Sequence, residues 1–245
     1  MSSKLCIVIP NYNHHNRLQA LFDTLAKYKL TCILVDDGSN LETKRVIDAI
    51  IRSYDFVKLI TLANNSGKGV AVIEGFKCAY ADGFSHALQV DADYQHDLGD
   101  ITDFIALSYQ YPKALISGKP IYDQSAPKSR VYGRKITNFW VAIETLSLQL
   151  AESMCGFRVY PLYQTMNLIN QMKLPSGMAF DIAIIVRLYW QGVEVKFIPT
   201  KVIYPKDGSS HFKAGRDNIK ISLAHTRLFF AMLLRLPKLL LRKFK

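Results

Sequence analysis

The first hundred residues alternate two kinds of apolar pattern, and this alternation limits what the chain can fold into more than any other feature. Leu5–Ile9, Thr31–Val35, Phe56–Leu62 and Phe84–Val90 are short runs dominated by apolar and β-branched residues. Between them Leu18, Leu21, Phe22 and Leu25, then Val46, Ile47, Ile50 and Ile51, then residues 70–80, carry apolar side chains at helical spacing. Short continuous runs bounded by turn residues predict buried strands, and recurrence at i, i+3, i+4 and i+7 predicts helices packed by one face. A βαβα series of this kind predicts an α/β domain with a mostly parallel central sheet and helices on both faces, since parallel strands need crossover helices that cover the sheet.

In an open sheet of this class ligands bind beyond the carboxyl ends of the strands. Three polar clusters fall there: Pro10-Asn11-Tyr12-Asn13, Asp36-Asp37-Gly38-Ser39 and Asp91-Ala92-Asp93. Loops after three different strands thus bring acids, amides and hydroxyls to one rim. The second half is less regular. Helical patterns cover Ile101–Tyr109, Val131–Leu150 and Phe180–Trp190, strand patterns cover Ala114–Ser117 and Val193–Ile198, and Ile219–Lys245 reads as helix interrupted at Pro237.

With 245 residues, 49% of them hydrophobic and 21% charged, the chain is long enough for one large domain plus a small appendage, and disorder is not expected over most of it. No internal repeat points to a solenoid. Cys6, Cys32, Cys78 and Cys155 are scattered without zinc-like spacing, and they read as buried thiols of a reducing compartment. The N-terminus has no signal-peptide pattern, and no stretch approaches the ~18 apolar residues of a spanning helix. The expected location is cytoplasmic, peripheral on the inner face of the membrane.

The net charge of +11 calls for a polyanionic partner. Much of it is C-terminal: from Lys213 to Lys245 there are nine Lys or Arg and one acid, Asp217. The continuously apolar Leu228–Leu234 followed by Arg235, Lys238, Arg242, Lys243 and Lys245 suits an anionic membrane surface, with packing on the catalytic domain or a subunit as the alternative. The density of Leu and Phe argues against nucleic acid. The expected division is a catalytic domain over 1–215 and basic amphipathic helices over 216–245.

Asp91 and Asp93, separated by Ala92 at a strand end, can converge on a divalent cation. Oxygen donors suit Mg2+ or Mn2+, and Gln95 can add a neutral oxygen. Such a cation neutralises charge developing on a diphosphate leaving group. Asp36 and Asp37 can accept hydrogen bonds from a base or ribose, with Ser39 or Asn40 capping the helix that follows. Gly67 and Lys68 in Asn65-Ser66-Gly67-Lys68-Gly69 put a cation and close-approaching backbone at a helix start, a natural phosphate site, although P-loop spacing is absent.

These clusters, in this order, resemble family 2 glycosyltransferases. Asp91-Ala92-Asp93-Tyr94-Gln95-His96 and Cys155-Gly156-Phe157-Arg158 are similar to elements of the dolichol-phosphate mannose synthase-like branch, and the likeness covers roughly residues 4–210. It implies a GT-A fold, a nucleotide-diphosphate sugar donor, inversion at the anomeric carbon and a lipid or lipid-linked acceptor. It assigns Pro10, Tyr12, Asp36 and Asp37 to the nucleotide, with Asn13, Ser39, Gly67, Lys68, Asp91 and Ala92 also lining the donor site. Asp91, Asp93 and Gln95 fall to the metal, joined by His211 from a late loop that closes over metal and diphosphate. It places Arg158 against donor phosphates or a phosphorylated acceptor. Asp181 becomes the base or acceptor-orienting acid, although residue 180 is Phe where the family often has Glu. A nucleotidyltransferase and a noncatalytic sugar-nucleotide or nucleic-acid binding module remain alternatives. The first lacks its usual glycine-rich basic loop after strand one.

Overall fold

A computed structural model describes residues 4–122, 127–202 and 214–242. Its sheet has seven strands in the order β3-β2-β1-β4-β6-β5-β7. Strands β1 (Leu5–Asn11), β2 (Cys32–Asp36), β3 (Val57–Thr61) and β4 (His86–Gln89) are mutually parallel, and β5 (Leu115–Tyr122) pairs in parallel with β7 (Val195–Val202). Only β6 (Arg158–Pro161) is antiparallel to its neighbours, β4 and β5.

Alternation along the strands builds the core. Cys6, Val8, Ile33 and Val35 belong to one buried cluster, while Leu5, Ile7, Ile9, Cys32 and Leu34 belong to the other. Successive side chains of a strand point to opposite faces, so two apolar clusters mean a sheet buried on both sides. One face is covered by α1 (Leu18–Ala26), α2 (Leu41–Ile51) and α4 (Ile101–Gln110). The other carries α3 (Lys68–Ala81), α5 (Lys128–Thr145), α6 (Leu162–Gln171), α7 (Phe180–Trp190) and α8 (Ala214–Leu233). The expected fold class, α/β with a mostly parallel sheet, is what is found.

Three departures have physical causes. The helix expected to reach Leu150 stops at Thr145, because Leu146 turns left-handed (φ +52°) and its N–H bonds back to Ile143. A non-glycine residue rarely takes that conformation, so nothing in the composition marks the stop. Strand β5 runs past Ser117 through Gly118 and Pro120 to Tyr122. Its pairing with β6 ends at Ser117, so Pro120 removes no ladder donor on that side. The segment 158–171, which carries no strong pattern, forms β6 and α6.

The C-terminal helix is continuous across residue 216. Ile221, Ala224, Leu228 and Met232 lie on its inner face and enter the same core as α3 and α7. His225 Nδ1 lies 2.8 Å from Glu144 of α5, and Trp190 Nε1 of α7 donates to the Glu144 carbonyl at 3.1 Å, so three helices meet at one buried polar point. The chain turns at Leu234–Arg235, and Pro237 opens α9 (Leu236–Leu241), where a missing N–H costs nothing. Among the described residues no helix is long and apolar enough to cross a membrane. Cys6, Cys32 and Cys155 are buried and unbridged, and Cys78 is half-buried.

Candidate active site

Asn11 and Asp36 end β1 and β2 and are register partners. Both are buried. Neither polar atom of the Asn11 amide has a partner, nor does either Asp36 oxygen. Leaving four such atoms unpaired is costly, and strands that end in orphaned groups mark a place built for a ligand. Asn11 stands within a motif the sequence singled out, but its neighbours Pro10, Tyr12 and Asn13 drew the assignment. Alternation along β1 is the signal that separates them.

Asp37 is used differently. Its carboxylate accepts the backbone N–H of Ser66 at 2.8 Å and of Gly67 at 2.7 Å. Burial pushes its pKa up, and those two bonds partly offset that. Asp37, expected at the nucleotide, thereby ties the loop after β3 to the end of β2. Asn13 and Ser39 join loops in the same way. Ser39 Oγ accepts the Asn13 N–H at 2.8 Å, and Asn13 Oδ1 accepts the Asn40 N–H at 2.9 Å. Asn40, not Ser39, caps α2 through Thr43 N–H. Pro10 and Tyr12 are half-buried at the same rim.

The loop held by Asp37 aims Lys68. Gly67, at φ +100°, turns the chain into α3, and a Cβ there would meet the Ser176 carbonyl at 2.5 Å. Lys68 Nζ then lies 2.9 Å from one Asp91 oxygen and 3.0 Å from the other, and 3.0 Å from Asp181 Oδ2. Gln89 Nε2 donates to Asp181 Oδ1 at 3.4 Å. The structure therefore brings together the strand-end acid, the loop lysine and the α7 acid, which are far apart in sequence. Burial works against the Lys68 ammonium, but Asp181 and Asp91 overcome it and raise its pKa.

Asp93 sits beside Asp91 and takes the opposite shift. Burial and then the Asp91 charge push it up to about 6. Asp91 is held below the usual carboxylate range, because Lys68 and then His96 outweigh its burial. Two carboxylates pushed apart in this way share one anionic site. Gln95 donates its backbone N–H to Asp93 Oδ1 at 3.2 Å. His96 stacks on Phe157, with its Nδ1 buried and unpartnered, and burial pushes its pKa down to about 4. Among the described residues no cluster of three or more His, Cys, Asp and Glu is arranged as a metal cage. Ala92 is buried in the apolar cluster, and His211 lies outside the described residues.

Arg158 is not at the open rim. It is fully buried and donates to the Asp181 carbonyl (2.7 Å), the Ser153 carbonyl (2.7 Å), Ser117 Oγ (3.1 Å) and Tyr160 OH (3.4 Å). The expectation sets Arg158 against donor phosphates or a phosphorylated acceptor; here its fork is taken up by these four protein acceptors. Antiparallel β6 begins at this rim, opposite Gln89, so its first side chain lies beneath the site and fixes the start of α7. The preceding turn is organised by Glu152, whose Oε1 accepts from Arg134, Met154 N and Cys155 N. Gly156 in that turn passes so close that a Cβ would lie 2.8 Å from Asp91 Oδ2, Gln89 Nε2 and Lys68 Nζ alike.

The family model described as "Glycosyl transferase family 2" matches residues 6–174. A dolichyl-phosphate beta-glucosyltransferase of Dictyostelium discoideum is 23% identical over 74% of this chain and 61% of its own length. A UDP-N-acetylglucosamine–dolichyl-phosphate N-acetylglucosaminyltransferase of Methanococcus voltae is 25% identical over 83% and 88%. Among solved structures, the S. aureus TarS 1-349 complex with UDP has a TM-score of 0.63 at 15% identity, covering 92% of this chain and 65% of that one. Glucosyl-3-phosphoglycerate synthase from Mycobacterium tuberculosis, in complex with Mn2+, uridine-diphosphate-glucose and phosphoglyceric acid, has 0.61 at 13%, covering 95% and 79%. The chain thus spans less than two thirds of the Dictyostelium protein and of the TarS fragment, and the likeness to both solved structures is one of fold.

Proposed function

Because the chain belongs to glycosyl transferase family 2, we propose that it is an inverting enzyme that moves a sugar from a nucleotide-diphosphate donor to a lipid phosphate or lipid-linked acceptor at a membrane surface. The observation that carries the donor half is the orphaned pair Asn11 and Asp36 at the carboxyl ends of adjacent strands. An amide and a carboxylate side by side can pair with a nucleobase or ribose, which supplies the missing partners. The relatives' printed names, which specify dolichyl phosphate, support the acceptor half.

A divalent cation, Mg2+ or Mn2+, suits Asp91 and Asp93. The donors are hard oxygens, one acid is pushed up by burial and then by its neighbour's charge, and a cation would relieve that repulsion. Gln95 could complete the set, with His211 as a further proposed ligand. When bound, the cation would neutralise charge developing on the leaving diphosphate. Lys68, in reach of Asp91, adds a second positive charge at the start of α3, where helix N–H groups also favour a phosphate. We assign Asp181 the role of accepting the acceptor's proton or orienting the acceptor. Arg158 holds it in place through the backbone carbonyl.

Membrane-surface action is supported by unpaired apolar faces. Tyr132, Ile136 and Phe139 stand on one side of α5, and Phe230, Leu234 and Leu241 on the C-terminal helices and the turn between them, all exposed. The test is a thermal-shift panel of UDP- and GDP-sugars with and without Mn2+. A bound donor at 100 times its Kd stabilises the fold by about 2.7 kcal/mol. A shift for one base, enhanced by Mn2+ and lost in Asp36→Ala, is expected. No shift with any nucleotide-sugar would sink the donor assignment.

A further inference from the structure

Both oxygens of Asp91 are already taken by a cation of the chain itself. Lys68 Nζ lies 2.9 Å from Asp91 Oδ1 and 3.0 Å from Asp91 Oδ2. The same ammonium lies 3.0 Å from Asp181 Oδ2 on α7. Asp91 Oδ1 is buried and accepts no hydrogen bond, so the ammonium meets it as a charge alone. Asp93 makes no ion pair among the described residues, and accepts one backbone N–H, from Gln95. The positive charge is therefore placed on one acid of the pair and not shared between them.

The backbone around this lysine is pinned on both sides. Asp37 holds the N–H groups of Ser66 and Gly67, and the Gly69 N–H bonds the Ser176 carbonyl at 2.7 Å. The turn at Gly156 passes over the contact, where a Cβ would lie 2.8 Å from Lys68 Nζ and from Asp91 Oδ2. What can move is the four-carbon stem, which carries a compact charge on rotatable bonds. A divalent cation on Asp91 would meet a like charge at the same carboxylate, in partly buried surroundings that screen it poorly. The two cannot both keep Asp91. The start of α3 gives a displaced ammonium somewhere to go once a diphosphate is bound there.

We propose, resting on the reading of Asp91 and Asp93 as the metal pair, that Lys68 is a built-in counter-ion that competes with the divalent cation for Asp91. The site without nucleotide is thereby held closed to metal by one side chain.

The probe is Mn2+ alone, titrated into the full chain without nucleotide and followed by the electron paramagnetic resonance signal of the free ion. Lys68→Met and Lys68→Gln should each bind Mn2+ at least about tenfold more tightly than the wild type. Mn2+ should also raise the Tm of Lys68→Met more than that of the wild type. Lys68→Met/Asp93→Asn separates the two ideas. Tight binding that survives Asp93→Asn lies elsewhere and removes the metal-pair reading. Binding that needs Asp93 but is equal in the wild type and both neutral variants keeps the pair and overturns the competition. No Mn2+ binding in either neutral variant removes both. A further measurement uses the wild type only: acylation of Lys68 by acetic anhydride, read by peptide mass spectrometry. An ammonium held between two acids is shielded, so saturating Mn2+ should expel it and raise its acylation severalfold. Unchanged acylation at saturation would overturn the proposal.

Discussion

Lys68→Met isolates what the loop lysine does. The Lys68 ammonium lies within 3.0 Å of both Asp91 and Asp181, whose side chains are 24% and 4% exposed. Methionine keeps most of the volume and removes the charge, leaving two carboxylates close together without a cation. Breaking a buried pair from one side costs about 3–5 kcal/mol, and the partial exposure of Asp91 puts this case near the lower end. For a chain of this size each kcal/mol moves Tm by roughly 2–4 °C, so a fall of about 6–12 °C is expected near neutral pH. The pH dependence is the sharper test. Asp91 is held below the usual range in the folded protein, so its ionised form stabilises the fold above the unfolded carboxylate value. That contribution disappears as pH falls through the folded value. The variant lacks the cation, so its difference from the wild type is largest near pH 7.5 and closes only as pH falls below the ordinary carboxylate value of about 4 and through the depressed Asp91 value. Differential scanning calorimetry along a descending pH series measures this. A Tm difference below about 2 °C at pH 7.5, or one that does not narrow below about pH 3, would refute the ion-pair account.

Asp93 behaves in the opposite sense. Its value is raised to about 6, so ionisation destabilises the metal-free fold as pH rises through that value. Asp93→Asn should therefore raise Tm at pH 8, leave it unchanged at low pH, and abolish any Tm increase caused by Mn2+. Thermal shift with and without the ion reads all three. Arg158→Lys cannot reproduce a fork that serves four acceptors, and stranded buried carbonyls should cost about 2–4 kcal/mol in urea unfolding. Gly156→Ala adds a Cβ 2.8 Å from three side-chain ends of the site, so sugar transfer should fall at least about tenfold, a loss of roughly 1.4 kcal/mol of transition-state stabilisation, with native circular dichroism.

The parallel half of the fold was legible because its signal is periodic. Most strands and helices from β1 to β4 bury a face, and burial writes apolar residues at fixed intervals. The antiparallel strand β6 was not legible. It has four residues, one of them an arginine, and it is sandwiched between strands that supply the apolar contacts. Arg158 is read from sequence as a ligand-facing cation because buried arginines are rare. Here four nearby oxygens make burial affordable, and no local pattern reveals where those oxygens are.

The same limit separates Asp36 from Asp37. Adjacent acids in one motif look interchangeable, yet consecutive side chains at a strand end point to opposite sides. One side offers two backbone N–H groups from the loop after β3, and Asp37 takes them. The other side offers none, and Asp36 keeps both oxygens unpartnered beside Asn11. That lack is what makes it a candidate ligand contact. The Asp37 contact matters indirectly: by closing the loop at Ser66 and Gly67 it fixes the turn that points Lys68 at Asp91 and Asp181. The helix start that follows the loop carries Gly69, whose N–H bonds the Ser176 carbonyl at 2.7 Å. The Asp37 carboxylate thus sets the position of the lysine between the two acids and, through the same loop, ties the start of α3 to the segment before α7.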